Sequence, residues 1–249
     1  MGISVKPCTL LLILSFHFFS NKTIAQLSAD DSIFHSIAIS NAVALYYRNI
    51  GDQSGLYNGS QYGDYPFKFK EGHPFFYTDS PTTGSIVYDS VFYPDVKLLY
   101  DEVANAIIFQ DASHRIQLIN ERITRFTIWD NHFIRIVKDS LSSAPISPGF
   151  YNILYEGRVS VLKQEVKKIN EDVSSSAEGV QRFIEEKKYY YIKKKNEYFK
   201  VNGKNDLLNI YKDQKKRIRQ CIKDNNLSFK NDPDNMLIKV STCYGQFTK

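Results

Sequence analysis

Between Gly84 and Ile136 apolar and polar residues alternate in short runs, and turn-forming residues separate the runs. Period two is the signature of strands that bury one face and expose the other. Residues 85–88, 97–100, 106–109 and 115–119 therefore read as strands, punctuated by Asp89-Ser90, Pro94-Asp95, Ala104-Asn105 and residues 111–113. The clearest hairpin covers residues 123–137. Phe126 and Ile128 share one face there and Arg125 and Thr127 the other. Ile134 and Ile136 resume the pattern after Asp130-Asn131, two residues that tolerate the positive φ of a tight turn. Strands about ten residues apart, with no helix between them, predict an antiparallel meander rather than βαβ units.

The alternation continues in a hairpin over residues 150–168, turning at Glu156-Gly157, and in another over residues 188–201, turning near Lys195-Asn196. Residues 139–148 and 171–179 read as polar loops. Residues 30–49 read as a helix: Asp30 and Asp31 suit its positive N-terminal end, Phe34, Ile37, Ala38 and Leu45 form a stripe, and Gly51 follows as a stop. That stripe is expected to lie on the sheet as a lid. Residues 205–223 form an amphipathic helix with Leu207, Leu208, Tyr211, Ile218 and Ile222 near one face, and residues 231–244 a shorter one begun by Asp232-Pro233-Asp234. The expected fold class is α+β, a mainly antiparallel, curled β-meander with an N-terminal helix and a C-terminal helical pair. It forms a single domain over residues 26–249, β-rich over 84–202 and helical over 203–249.

Residues 1–25 read as an export signal: Lys6 gives a positive start, residues 9–19 an apolar core, and Thr23-Ile24-Ala25 a cleavage site ahead of Gln26. The apolar run is shorter than the roughly 20 residues a transmembrane helix needs. Cys8 precedes the run, so a lipid-modified cysteine is not expected. The expected product is a soluble protein of the periplasm or exterior, without a transmembrane span once the signal is removed. Loss of Lys6 and Lys22 takes the formal charge from +5 to +3, which conceals a split. Residues 26–156 hold 9 basic and 15 acidic side chains and residues 157–249 hold 21 and 12, so the C-terminal part is basic. Of the remaining cysteines, Cys221 lies near the link between the C-terminal helices and Cys243 well along the second. An offset of about 16 Å at 1.5 Å per residue predicts that they do not pair.

Leu56-Tyr57-Asn58-Gly59 with Tyr62, Gly72-His73-Pro74-Phe75-Phe76, Gly84-Ser85-Ile86-Val87-Tyr88-Asp89, Leu99-Tyr100-Asp101 and Gly149-Phe150-Tyr151 form a set of aromatic, glycine and turn-acid motifs along the chain. On these motifs it resembles a broad family of exported, uncharacterised proteins of Bacteroidota-type bacteria. The resemblance implies export and brings no activity, cofactor or catalytic residue with it.

The chain carries no nucleophile elbow, zinc helix, Cys-x-x-Cys pair, phosphate loop or dinucleotide fingerprint. No catalytic residue, metal ligand or cofactor is assigned. Residues 53–81 hold a dense aromatic set, and a long loop of this kind is functional or covers a sheet edge. The covering role is the stronger reading; the ligand reading, for a glycan or small molecule, takes Tyr57, Tyr62, His73, Phe75 and Phe76. Asp101 and Glu102 point to opposite faces if extended, which favours a turn role over paired acid and base. An enzyme would need His73 or His132 to converge on Asp101. Lys212, Lys215, Lys216 and Arg219 mark a candidate anionic-surface site, and three such cations supply about 3 kcal/mol, too little to anchor the protein alone. Nucleic acid is not expected as partner; an envelope protein or glycan is. Asp31-Ser32-Ile33, Asp89-Ser90-Val91 and Asp139-Ser140-Leu141 resemble O-glycosylation sites, the last the best placed. The leading expectation is a non-enzymatic exported envelope or interaction protein.

Overall fold

A computed structural model describes residues 29–49, 55–112, 114–137, 145–173 and 179–247. The export signal and the Asp139-Ser140-Leu141 site lie outside the described residues. The chain divides between Ile37 and Ala38 into two units. The second unit holds every strand and the C-terminal helices, and the N-terminal helix begins in the first.

Among the described residues eleven strands form one sheet: β1 (Ser60–Gln61), β2 (Thr82–Tyr88), β3 (Val91–Asp101), β4 (Ala106–Gln110), β5 (Arg115–Gln117), β6 (Ile123–Ile128), β7 (Asn131–Ile136), β8 (Gly149–Glu156), β9 (Val159–Asp172), β10 (Gln181–Lys194) and β11 (Glu197–Val201). Every ladder is antiparallel, in the order β1-β5-β4-β3-β2-β6-β7-β8-β9-β10-β11. The helices are α1 (Ala29–Asn49), α2 (Lys204–Ile210), α3 (Lys215–Asp224) and α4 (Pro233–Phe247). The expected antiparallel sheet with helices is present, with more of the chain in the sheet than an α+β description suggests.

The aromatic loop is a strap. The Lys70 N–H donates to the Arg182 carbonyl (2.8 Å) and the Ile184 N–H to the Glu71 carbonyl (3.2 Å), which fixes one end of the strap to β10. At its other end the Phe76 N–H donates to the Tyr100 carbonyl (2.8 Å) and the Glu102 N–H to the Pro74 carbonyl (2.9 Å). The hydrogen-bonded path that runs from β3 through β2, β6, β7, β8 and β9 to β10 thus returns to β3 through residues 70–76.

Local turn preference yields to core pairing in the hairpin of β6 and β7. A turn at Asp130-Asn131 would set Phe126 opposite Arg135. The observed turn is Trp129-Asp130, with Trp129 at φ +49°, and it sets Phe126 opposite Phe133 with the rings stacked at 4.5 Å. Burial of two aromatic rings in one stack outweighs the modest cost of a bulky residue in the left-handed region. Pro94-Asp95 is likewise not a turn between strands. It lies inside β3 as an irregularity, with Asp95 at φ +53° and the register with β2 shifting between Gly84 and Ile86. Asp89-Ser90 and Lys195-Asn196 do turn their hairpins.

The helix expected over residues 205–223 breaks at Tyr211. Tyr211 is fully buried, its hydroxyl within 2.9 Å of Ser241 Oγ and its ring stacked on Tyr244 at 4.3 Å. Leu207, Leu208, Ile218 and Ile222 are buried with it, as the periodicity predicts. Asp232 caps α4, its Oδ1 accepting from the Asn235 N–H at 3.0 Å. Of the stripe expected to make α1 a lid, Ile37 and Leu45 are at least half exposed. Ile39 is exposed as well, and residues two apart fall about 200° apart around the axis, so apolar residues are spread around this helix.

Cys221 and Cys243 form a disulfide, contrary to expectation, with Cα atoms 6.7 Å apart. The expectation assumed that α4 starts beside the end of α3. The eight residues between them reach about 26 Å when extended, so α4 begins away from that end and runs back past Cys221. A cross-link of sequence separation 22 removes loop-closure entropy worth about 3 kcal/mol. The double substitution Cys221→Ser, Cys243→Ser is expected to lower unfolding free energy by about 3 kcal/mol in urea titrations; a reductant that shifts the wild-type midpoint should leave the double variant unmoved.

Candidate functional site

Period two places Val159, Val161, Lys163, Glu165 and Lys167 of β9 on one face of the sheet. Val159 and Val161 pack with Tyr190, Ile192 and the helical side chains Leu207, Ile218 and Leu237. Leu162, on the other face, packs with Tyr151 and Tyr191. Along β8 Phe150 belongs to an aromatic core with Tyr100, Phe126 and Phe133, while Leu154 packs against the helical core. Between them Asn152 is buried and lies opposite Lys163. A band of buried polar side chains therefore separates two apolar cores.

Lys163 reaches Glu165 at 2.8 Å and Asp234 Oδ2 at 2.9 Å. Tyr190, its cross-strand neighbour, donates its hydroxyl to the other oxygen of Asp234 at 2.7 Å. The first turn of α4 is thus clamped to β9 and β10 through one carboxylate. Burial alone would lower the pKa of Lys163, but its hydrogen bonds to Glu165 and Asp234 outweigh that and hold it above the usual lysine range. Lys188 lies 3.7 Å from Glu165 and adds a second cation near it.

Lys167 meets Glu102 at 3.1 Å and donates to the Phe75 carbonyl. Burial pushes the Glu102 carboxyl up to about 7, more than Lys167 pulls it down. Glu165 and Glu186 nearby add to the rise. Asp101, fully buried beside Glu102, is satisfied: it accepts from the hydroxyls of Tyr62 and Tyr65, both at 2.9 Å, and from the N–H groups of Val103 (2.9 Å) and Ala104 (2.8 Å). Burial, then the neighbouring Asp101 charge, raises both phenols above the usual tyrosine range. This is the turn role expected of Asp101, and none of its bonds comes from a histidine. His132 lies within 3.3 Å of Thr127 instead.

The five aromatic-loop candidates cover the sheet. Tyr62, Phe75 and Phe76 are buried, and Phe76 packs edge-on against Phe133 at 5.1 Å. Tyr57 is half-buried, bonded to Asp111 and edge-on to Phe109. His73 stacks on Phe75, and its Nδ1 is buried without a hydrogen-bond partner among the described residues. The rings do not come together as an open ligand surface, because the strap turns them toward the strands it joins. The basic candidates do come together: Lys212, Lys215, Lys216 and Arg219 line one surface depression, with Arg217 and Asp213. The Lys163–Asp234–Tyr190 clamp and the Glu102–Lys167 pair escaped sequence reasoning. Their signal was present, since β9 keeps period two while its core face changes from valine to alternating charge.

No group of His, Cys, Asp and Glu that would hold a metal ion occurs among the described residues, and no helix among them is long and apolar enough to cross a membrane. No family model matches the chain, and no curated protein or solved structure matches it either.

Two outcomes follow from the band. Native Glu102 keeps its proton up to pH about 7, whereas its ordinary value is 4.5. Between these values the native state binds more protons than the unfolded state, so this group makes stability fall as pH rises through that window. Glu102→Gln is expected to flatten the fall, measured as urea midpoints from pH 4.5 to 8; parallel curves would refute it. Asp234→Ala is expected to cost about 1–3 kcal/mol, discounted for the partial exposure of Asp234, and Tyr190→Phe about 1 kcal/mol. Because both changes break one clamp, the double variant should cost less than their sum.

Proposed function

We propose that the chain is a non-enzymatic, exported interaction protein that docks on an anionic envelope surface through the basic depression around α3. The observation that carries this reading is charge without compensation. Lys212, Lys215, Lys216, Arg217 and Arg219 line the depression and none has an ion-pair partner among the described residues. Asp213, the acid among them, is held by Lys194 at 2.9 Å and by the Tyr244 hydroxyl at 3.0 Å. The buried band supplies no competing reading, because its lysines and carboxylates engage one another.

Export is supported by the residue 1–25 pattern, by the family resemblance and by the Cys221–Cys243 disulfide, which suits an oxidising compartment. The working domain in this reading is residues 26–249, an α+β unit with a curled sheet, and its compartment argues against nucleic acid as partner. Five cations at about 1 kcal/mol each correspond to a dissociation constant of roughly 0.2 mM. Docking of that strength is transient and strengthens when several copies engage one surface.

Co-sedimentation of the mature protein with vesicles containing anionic phospholipid tests the reading. Binding is expected at low salt, with neutral vesicles inert and the bound fraction falling as salt screens the surface. The triple variant Lys215→Gln, Lys216→Gln, Arg219→Gln should lose at least tenfold in affinity. Equal binding by the triple variant, or none to anionic vesicles at low salt, would sink the proposal.

A further inference from the structure

A cavity lies on the sheet itself, far in sequence from the basic helix. β2, β6 and β7 are adjacent, and their register sets Ser85 opposite Thr127 and Thr127 opposite His132. In the neighbouring row Val87 stands opposite Arg125 and, on the other side, opposite Phe92. Period two puts Ser85, Val87, Arg125 and Thr127 on one face, away from Ile86 and Phe126, which are buried in the aromatic core. Ser85, Val87, Phe92, Arg125, Thr127 and His132 line a single cavity there.

Its chemistry is one-sided. Arg125 presents a guanidinium that forms no ion pair among the described residues, whereas Arg115, Arg122, Arg135 and Arg182 each reach a carboxylate. Ser85 and Thr127 add hydroxyls. His132 Nδ1 is 3.3 Å from Thr127 Oγ1, leaving its Nε2 without a partner among the described residues. No acidic side chain lines the cavity, and Val87 and Phe92 give it an apolar border. A guanidinium fork flanked by hydroxyls matches the planar or tetrahedral oxygens of an oxyanion, which it engages through paired N–H donors.

We infer that the cavity between β2, β6 and β7 binds a small oxyanion, with Arg125 as the charge partner and Ser85, Thr127 and His132 as hydrogen-bonding groups. A carboxylate on a flat apolar body would in addition cover Phe92 and Val87, whereas inorganic phosphate would engage the polar groups alone. The site is separate from the α3 depression and stands or falls without it.

Titration of the isotope-labelled mature protein with inorganic phosphate, and separately with benzoate, tests the inference by amide NMR. Saturable shifts at residues 85–87, 125–127 and 132 are expected with one or both probes. Tighter binding of benzoate would identify the carboxylate source, and binding of phosphate alone the inorganic one. Arg125→Gln, a change at an exposed strand position, should weaken binding at least tenfold, while Lys216→Gln should leave it unchanged. Shifts with neither probe, or equal shifts in Arg125→Gln, would overturn the inference; loss with Lys216→Gln would assign the binding to general surface charge and overturn it too.

Discussion

Lys167 is where three distant parts of the chain meet. Its backbone N–H faces the Glu102 carbonyl at 3.4 Å, and its ammonium group reaches both the Glu102 carboxylate and the Phe75 carbonyl. β3 and β9 are five steps apart in the strand order, so no ladder brings these groups together. The sheet must curl until its flanks touch, with the strap from residue 70 to residue 76 filling the gap. The strap in turn pairs backbone groups at the end of β3 and the start of β10 that neighbouring strands leave open, which would otherwise be available to other chains. A charged residue at the meeting point is costly to bury, which makes the closed arrangement depend on all three partners being in place.

The same cost explains why the charges sit in a row on one strand face. A one-residue slip of β9 against β8 or β10 would turn Lys163, Glu165 and Lys167 to the opposite face and leave Glu102 and Asp234 without them. A two-residue slip keeps each side chain on its face, and there an apolar face is the more tolerant, since one aliphatic side chain resembles another while Lys163 and Lys167 each need a particular carboxylate. The band therefore penalises wrong registers while the two flanking cores supply most of the burial. Asp234 extends this logic to the helices: α4 is positioned by one carboxylate that Lys163 and Tyr190 hold from adjacent strands, and the disulfide ties α4 to α3.

Much of this was legible in the residues, and the exceptions share a cause. Period two located β2, β4, β5 and the strands of the later hairpins because each of those segments has a local pattern. The α2–α3 apolar face was legible for the same reason. The turn at Trp129-Asp130 was not, because Phe126 opposite Phe133 is a gain in the core that no local preference for Asp-Asn records. The disulfide failed for a related reason: it depends on where α4 starts, which the link from residue 225 to residue 232 decides and helix periodicity does not. Of the candidate sites, the basic side chains were legible as a group because they lie close together in sequence. The sheet cavity was not, since Ser85, Arg125 and His132 become neighbours only through the pairing of β6 with both β2 and β7.

The division of charge along the sequence acquires a structural meaning from the same closure. Glu102 comes from the acidic part of the chain and Lys167 from the basic part, and their contact lies where the two parts meet. Near that seam Lys163 is engaged at short range by Glu165 and Asp234. Part of the surplus that folding does not consume gathers at two places: five cations around α3, and Arg125 among hydroxyls on the sheet. Residual charge placed beside uncharged donors, rather than beside acids, is what gives a surface selectivity for anions. The sheet cavity has that composition, and around α3 the one acid of the depression, Asp213, is already held by Lys194 and Tyr244.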